Sequence, residues 1–153
     1  MKKILIMLAA IVALAACEMD LYRSDTMTSA NFATNPGAAV YSTDGNYAML
    51  KDEVDFNMTN RGGFNRIYFL MSELRGDNAS LSNTTTDPLC HNATYADEVQ
   101  DEDLSYMWYI CYKVIYGCNT NISVMPEGES VETDHLLGEN YFLRAYCHFS
   151  LCN

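Results

Sequence analysis

One apolar stripe constrains the fold of this chain more than any other feature. Leu104, Trp108, Cys111, Ile115, Cys118, Ile122 and Met125 recur at alternating steps of four and three residues, the spacing that keeps side chains on one face of an α-helix. Pro126 ends the stripe, and Pro126-Glu127-Gly128-Glu129-Ser130 supplies a turn, since proline cannot continue a helix and glycine accepts backbone angles that other residues avoid. A final helix begins near Glu132. It is apolar on most of its circumference, with Asn140, Arg144 and His148 as its one consistent polar stripe. Two long helices joined by a few residues predict an antiparallel hairpin. A helix as apolar as the last one must be packed on several sides. The 153 residues are therefore expected to fold poorly alone, with Phe142, Tyr146 and Phe149 left exposed. No strand-like alternation competes with this pattern, so the predicted class is all-α.

The upstream half carries weaker signals. Asn35-Pro36 reads as a helix start, asparagine capping and proline in the first turn. The helix that follows, about 36–53, is expected to bury Val40, Tyr47, Leu50 and Val54 on one side. Asn60-Arg61-Gly62-Gly63 is a break, and a helix over 64–74 places Phe64, Ile67, Tyr68, Met71 and Leu74 at helical spacing. From Gly76 to Asp103 the period dissolves into Asn, Thr, Ser and Asp, interrupted by Pro88. A loop of that length in a compact domain is uncommon and often functional. Its acidic end, Asp97 to Asp103, lacks the ligand spacing of a calcium loop and suits the positive end of the next helix.

The first residues address the chain. Lys2 and Lys3 precede an apolar run, Ile4–Ala16, followed by Cys17. The run is shorter than the roughly 20 residues needed to span a bilayer and has the charged, apolar and small-residue regions of a secretory signal. Leu14-Ala15-Ala16-Cys17 resembles the bacterial lipoprotein box, which implies cleavage before Cys17 and acylation of its thiol. On that reading residues 1–16 are the signal peptide, 17–35 a lipidated tether, and 36–153 the folded part.

Charge and chemistry exclude several classes. Nine basic against 20 acidic residues give a net charge of -11, which argues against electrostatic binding of nucleic acid or of an anionic membrane surface. Cys90, Cys111, Cys118, Cys147 and Cys152 have no zinc spacing; buried thiols are the expectation, with a disulfide between the last two helices left open. There is no nucleophile elbow, no glycine-rich phosphate loop and no metal-ligand spacing. No catalytic residue, metal or cofactor is expected.

Four landmarks, in order, resemble the N-terminal part of the SusD/RagB family of outer-membrane lipoproteins: Cys17 after its lipobox; Asn46-Tyr47-Ala48-Met49-Leu50; Glu73-Leu74-Arg75-Gly76-Asp77-Asn78; and the helix pair carrying Trp108, Tyr112, Ile115 and Asn119, then Gly138, Glu139, Phe142, Leu143, Arg144, Ala145 and Tyr146. Asn140 departs from the family's usual alanine. The resemblance implies a fold of tetratricopeptide-like helix hairpins, incomplete at the C-terminus because family members are several-fold longer. It implies a protein facing the cell exterior, anchored in the outer membrane by lipid, that binds a glycan or other nutrient without catalysis and passes it to a TonB-dependent transporter. A lipid-anchored helical scaffold or adhesin binding a protein partner is the alternative. A glycan-cleaving enzyme would need a placed carboxylate pair, and none is identifiable.

Carbohydrate sites pair an aromatic face with planar polar groups, so Asp77, Asn78, His91 and Tyr95 of the loop are the ligand candidates. Trp108 could stack on a sugar, but its stripe assigns it to the core. Glu139 and Arg144 read as an ion pair holding the hairpin, with ligand contact the other possibility. Asn119 is assigned to backbone hydrogen bonding near the hairpin turn.

Overall fold

The computed structural model describes residue 35 and residues 37–51, 54–56, 62–76, 78–81 and 88–152. Cys17, the lipobox, the tether up to residue 34, and Asp77 lie outside the described residues. Five helices follow in order: α1 (Ala38–Lys51), α2 (Phe64–Arg75), α3 (Pro88–Ala93), α4 (Glu102–Val124) and α5 (Val131–Cys152). The class is all-α, as the periodicity predicts, and the described residues include no strand.

The α4–α5 hairpin is the centre of the molecule. Met125 leaves helical geometry just before Pro126, and Gly128 takes a positive φ of 79° in the turn. The helix α1 lies across both members of the hairpin, while α2 packs on α1, α3 and α4. Phe64, Ile67, Tyr106, Ile110, Cys111, Val114, Leu143 and Cys147 form one continuous core, almost wholly withdrawn from solvent. No disulfide joins the five cysteines among the described residues; Cys90, Cys111, Cys118 and Cys147 are buried as expected, whereas Cys152, near the end of α5, is exposed. Cys118 is pushed up to about 11 by burial, and a hydrogen bond to Cys111, with burial, also raises Cys147. Thiols held in this state pack as small apolar groups.

The core differs from the sequence expectation in two instructive ways. The buried sector of α4 is centred near Val114, roughly 60–70° round the helix from the predicted stripe at 100° per residue. Its cause is packing on two sides, by α5 and by α1 with α2. Trp108 therefore falls at the margin of the buried sector and is 46% exposed; its assignment to the core is corrected. The second difference is in α1. Val40 and Tyr47 face solvent, and the buried positions besides Leu50 are Ala38, Thr43 and Asn46. The buried face of this helix is mostly small or polar.

That polar face is matched across the core. Asn140 sits at the middle of α5, fully buried rather than on a solvent stripe. Its Nδ2 donates to Thr43 Oγ1 (2.8 Å) and to its own helix at Leu136 O (2.8 Å). Its Oδ1 accepts from Asn46 Nδ2 (3.1 Å) and Asn121 Nδ2 (3.0 Å). Ser42 donates in turn to Asn121 Oδ1 at 2.6 Å. All four valences of the amide are filled, which is the condition for burying it at little cost. One network thus joins α1, α4 and α5.

Gly117 makes the network possible. A Cβ at this position would overlap Asn46 Oδ1. Gly117→Ala is expected to destabilise the fold by about 2 kcal/mol through overpacking. In an Asn46→Ala background the same change should be stabilising by up to ~1 kcal/mol, because alanine is the better helix former. Urea unfolding of the four proteins of this cycle checks the reversal of sign; an effect of Gly117→Ala independent of residue 46 would contradict it.

The charged pairs of the hairpin are also corrected. Glu139 pairs with His135 one turn away (3.0 Å), and Arg144 donates to Asn119 Oδ1 (2.9 Å) while lying over the Tyr141 ring at 5.0 Å. Glu139 and Arg144 do not meet, because five residues on a helix point in widely different directions. Asn119 is satisfied by a side chain of α5 and not by backbone. Phe142 and Phe149 are exposed on α5, while Tyr146 is half-buried, stacked on Phe142 and edge-on to Phe64. Among the described residues no helix is long and apolar enough to cross a membrane.

Candidate functional site

The short helix α3 begins at Pro88, a residue suited to a first helical turn because its missing N–H has no partner there. It divides the long polar segment and brings its second half against the end of α2. At its end Tyr95 adopts a left-handed φ of 56°, an uncommon state for a bulky side chain. The conformation is held from three points: Tyr95 N to Asn92 O (3.3 Å), Ala96 N to His91 O (2.8 Å), and the Tyr95 hydroxyl donating to Arg75 O (2.8 Å).

Arg75 is the hub of this region. Its guanidinium lies over the Tyr95 ring, 5.6 Å from the centroid, and its Nη2 donates to the Asp97 carboxylate in an ion pair. With the buried Asn92 amide oriented so that both its ends are satisfied, Nδ2 donates to Met71 O (3.0 Å) and Oδ1 accepts from Arg75 Nε (3.1 Å). A planar cation, a planar amide, a carboxylate and an aromatic ring are thereby fixed together.

The cation, the amide and the carboxylate, but not the Tyr95 ring, border a cleft of about 200 Å³ between α2, α3, α4 and the end of α5. Arg75, Asn92 and Asp97 form its polar side. Leu104, Met107, Met71 and Leu151 form its apolar side, and Trp108 lies on its lining. The volume is below the roughly 300–1,000 Å³ of drug-sized pockets, and suits a single small ring with polar edges.

His91 braces the segment from behind. Its Nδ1 lies 2.9 Å from Asp101 Oδ1, and the other Asp101 oxygen accepts from Glu98 N at 2.8 Å. The hydrogen bond to Asp101 raises the His91 pKa, helped by the charges of Asp101, Glu98 and Asp97 and opposed by burial. Asp101 is lowered, first by the Glu98 N–H and then by His91. A raised histidine contributes fully below its ordinary 6.5 and loses the contribution as pH rises through the raised value. A lowered aspartate contributes fully above its ordinary 3.8 and loses it as pH falls through the lowered value. The clasp is therefore strongest between those two ordinary values. Titration of the His91 ring by NMR is expected to give a pKa above 6.5 that falls back in Asp101→Asn; an unchanged value in the variant would remove the clasp.

Of the residues expected to bind ligand, Tyr95 packs on Arg75 and His91 pairs with Asp101, and neither side chain lines the cleft. Asn78 does not join them; it is exposed, with its backbone N–H on Glu73 O. Arg75, Asn92 and Asp97 were absent from the candidate set. A signal for Arg75 exists: residues 76–103 contain several acids and no lysine or arginine, so Arg75 is the cation nearest to hand for the loop. Among the described residues no group of three or more His, Cys, Asp or Glu side chains could hold a metal.

Comparison with known proteins decides the family. The SusD-like family described as starch-binding and associating with the outer membrane matches residues 52–153. The chain belongs to this SusD-like family. The match takes in α2 to α5 and every residue of the cleft, with α1 lying before it. Neither the curated proteins nor the solved structures compared include a match. The description of the SusD-like family thus ties the chain to carbohydrate and to the outer membrane, and the Arg75–Asn92–Asp97 cleft lies inside the matched portion.

Proposed function

We propose that this chain is a surface lipoprotein that binds an α-glucan without cleaving it and delivers it to a TonB-dependent outer-membrane transporter. The observation that carries the reading is the cleft of about 200 Å³, in which a guanidinium, an amide, a carboxylate and an indole converge. Sugar rings present hydroxyls at their edges and apolar C–H faces, and this lining offers partners for both. The family description supplies the class of ligand. On this reading residues 1–16 are removed, Cys17 carries the acyl chains, and residues 17–35 tether the body, as two or more chains suffice for stable anchoring.

Electrophoresis of the purified chain through gels containing soluble starch tests the binding. Retardation by starch, with no new reducing ends on incubation, is the expected result. New reducing ends would replace the reading with an enzymatic one. Capture of a protein partner with no retardation by any polysaccharide would favour a scaffold, to which exposed Phe142 and Phe149 on α5 would then contribute. Incorporation of labelled palmitate in the producing cell, lost in Cys17→Ser, tests the anchor separately.

A further inference from the structure

Beside the cleft, α4 carries a second feature that the cleft does not use. Trp108, Tyr112 and Tyr116 are exposed by 46%, 52% and 75% and recur at four-residue steps, so they form one row rising about 6 Å per ring. Ser105, Tyr109 and Lys113 flank the row and line the same shallow groove. Isolated exposed aromatics are ordinary, but a contiguous patch of them signals a binding surface. The row is also partly organised. Trp108 and Tyr112 are stacked, 5.6 Å between centroids and 29° from parallel. Lys113 donates to the Tyr109 hydroxyl (3.2 Å) and lies over that ring at 5.2 Å.

We propose that a glucan chain entering the Arg75–Asn92–Asp97 cleft continues along this row, its rings packed against the open faces and edges of the Trp108–Tyr112 stack and then on Tyr116. The inference rests on the glycan-binding reading above. Two observations join the features. Trp108 lines both the cleft and the groove, so the row starts where the cleft ends. The cleft, at about 200 Å³, has room for little more than one sugar ring, so the rest of a polymer must lie outside it. The net charge of -11 disfavours nucleic acids and anionic polymers, which could also stack on aromatic faces, and is compatible with the neutral glycan that the family description points to. Tyrosine hydroxyls along the row and Ser105 supply polar partners for the sugar edges.

Trp108 is the one tryptophan of the chain, so its emission reports both places. Titration of the 153-residue chain with maltose, whose two rings reach from the cleft no further than Trp108, and with maltoheptaose, which reaches Tyr112 and Tyr116, tests the path. Maltoheptaose is expected to bind at least roughly tenfold tighter than maltose. Tyr112→Ala/Tyr116→Ala should abolish that difference and leave maltose affinity unchanged, while Tyr112→Phe/Tyr116→Phe should retain it, because stacking needs the ring and not the hydroxyl. Tyr116→Ala alone, at the most exposed position, gives part of the loss without risk to the fold. Persistence of the preference in the double alanine variant would overturn the path along α4. Equal affinity of the unaltered chain for both sugars would overturn it too, while leaving glycan binding in the cleft intact. Absence of binding by either sugar would overturn the glycan reading itself, and the path with it.

Discussion

Asn140→Leu is expected to destabilise the fold by about 3 kcal/mol, although leucine is the more apolar residue and the better helix former. The position is fully buried, so hydrophobicity alone would predict the opposite sign. Leucine, however, withdraws the acceptor shared by Asn46 and Asn121 and the donor to Thr43. Each buried polar group left without a partner costs about 1–3 kcal/mol. Asn46 retains only a long contact to Cys118 Sγ at 3.6 Å, and Asn121 keeps the hydroxyl of Ser42. For a chain of this size the loss corresponds to a drop of roughly 10 °C in melting temperature. Asn140→Asp should also destabilise the fold, because it keeps two acceptors and loses both donors. A combined variant with Thr43, Asn46, Asn121 and Asn140 all replaced by apolar residues of similar volume should recover much of the loss, as replacing both partners of a buried pair is far cheaper than removing one. Urea unfolding checks the series; a cost below ~0.5 kcal/mol for Asn140→Leu would mean that water satisfies the abandoned groups.

The network also explains where the sequence was readable and where it was not. The α4–α5 hairpin and α2 were legible because their burial is carried by apolar side chains at helical spacing, such as Phe64, Ile67 and Leu74 of α2. Such spacing is a local property of the chain. The buried face of α1 was not legible, because the periodic apolar residues Val40 and Tyr47 face outward and the inward ones include Thr43 and Asn46. What permits those polar residues inside is a set of partners far along the chain: Asn121 lies 79 residues from Ser42, and Asn140 lies 94 from Asn46 and 97 from Thr43. No window of sequence contains both ends of such a contact. The same limit applies to the site. Tyr95 and His91 could be picked by residue type, as an aromatic and a planar polar group in a long loop. Arg75 stood just past a helix, 64–74, that read as structural, and its partner Asp97 lies 22 residues on. Trp108 was misplaced for a third reason: a periodic stripe gives the period of burial, but the sector that is buried depends on how many neighbours pack on the helix.

Arg75→Met is expected to weaken α-glucan binding by about 10- to 100-fold while costing the fold about 1 kcal/mol, the low end for a buried group such as Asn92 Oδ1 left without its donor. The separation follows from what the guanidinium does. It is not a core group; the Arg75 and Asp97 side chains are 38% and 18% exposed, and ion pairs open to solvent contribute little to stability. Its fork instead fixes three planar groups at once: Asp97 through Nη2, Asn92 through Nε and the Tyr95 ring through its face. Methionine keeps the apolar stem along the cleft and removes all three connections, so the cleft retains its volume and loses the order of its polar side. Arg75→Lys should recover little, because a single ammonium cannot serve two acceptors in the plane of a guanidinium. Asp97→Asn should have an intermediate effect, since an amide still accepts from Arg75 but without charge assistance. Titration with maltose, read through Trp108 emission, gives the affinities, and urea unfolding gives the stabilities. Equal losses in both would make Arg75 a structural residue; an affinity unchanged in Arg75→Met would move the sugar site away from this cleft.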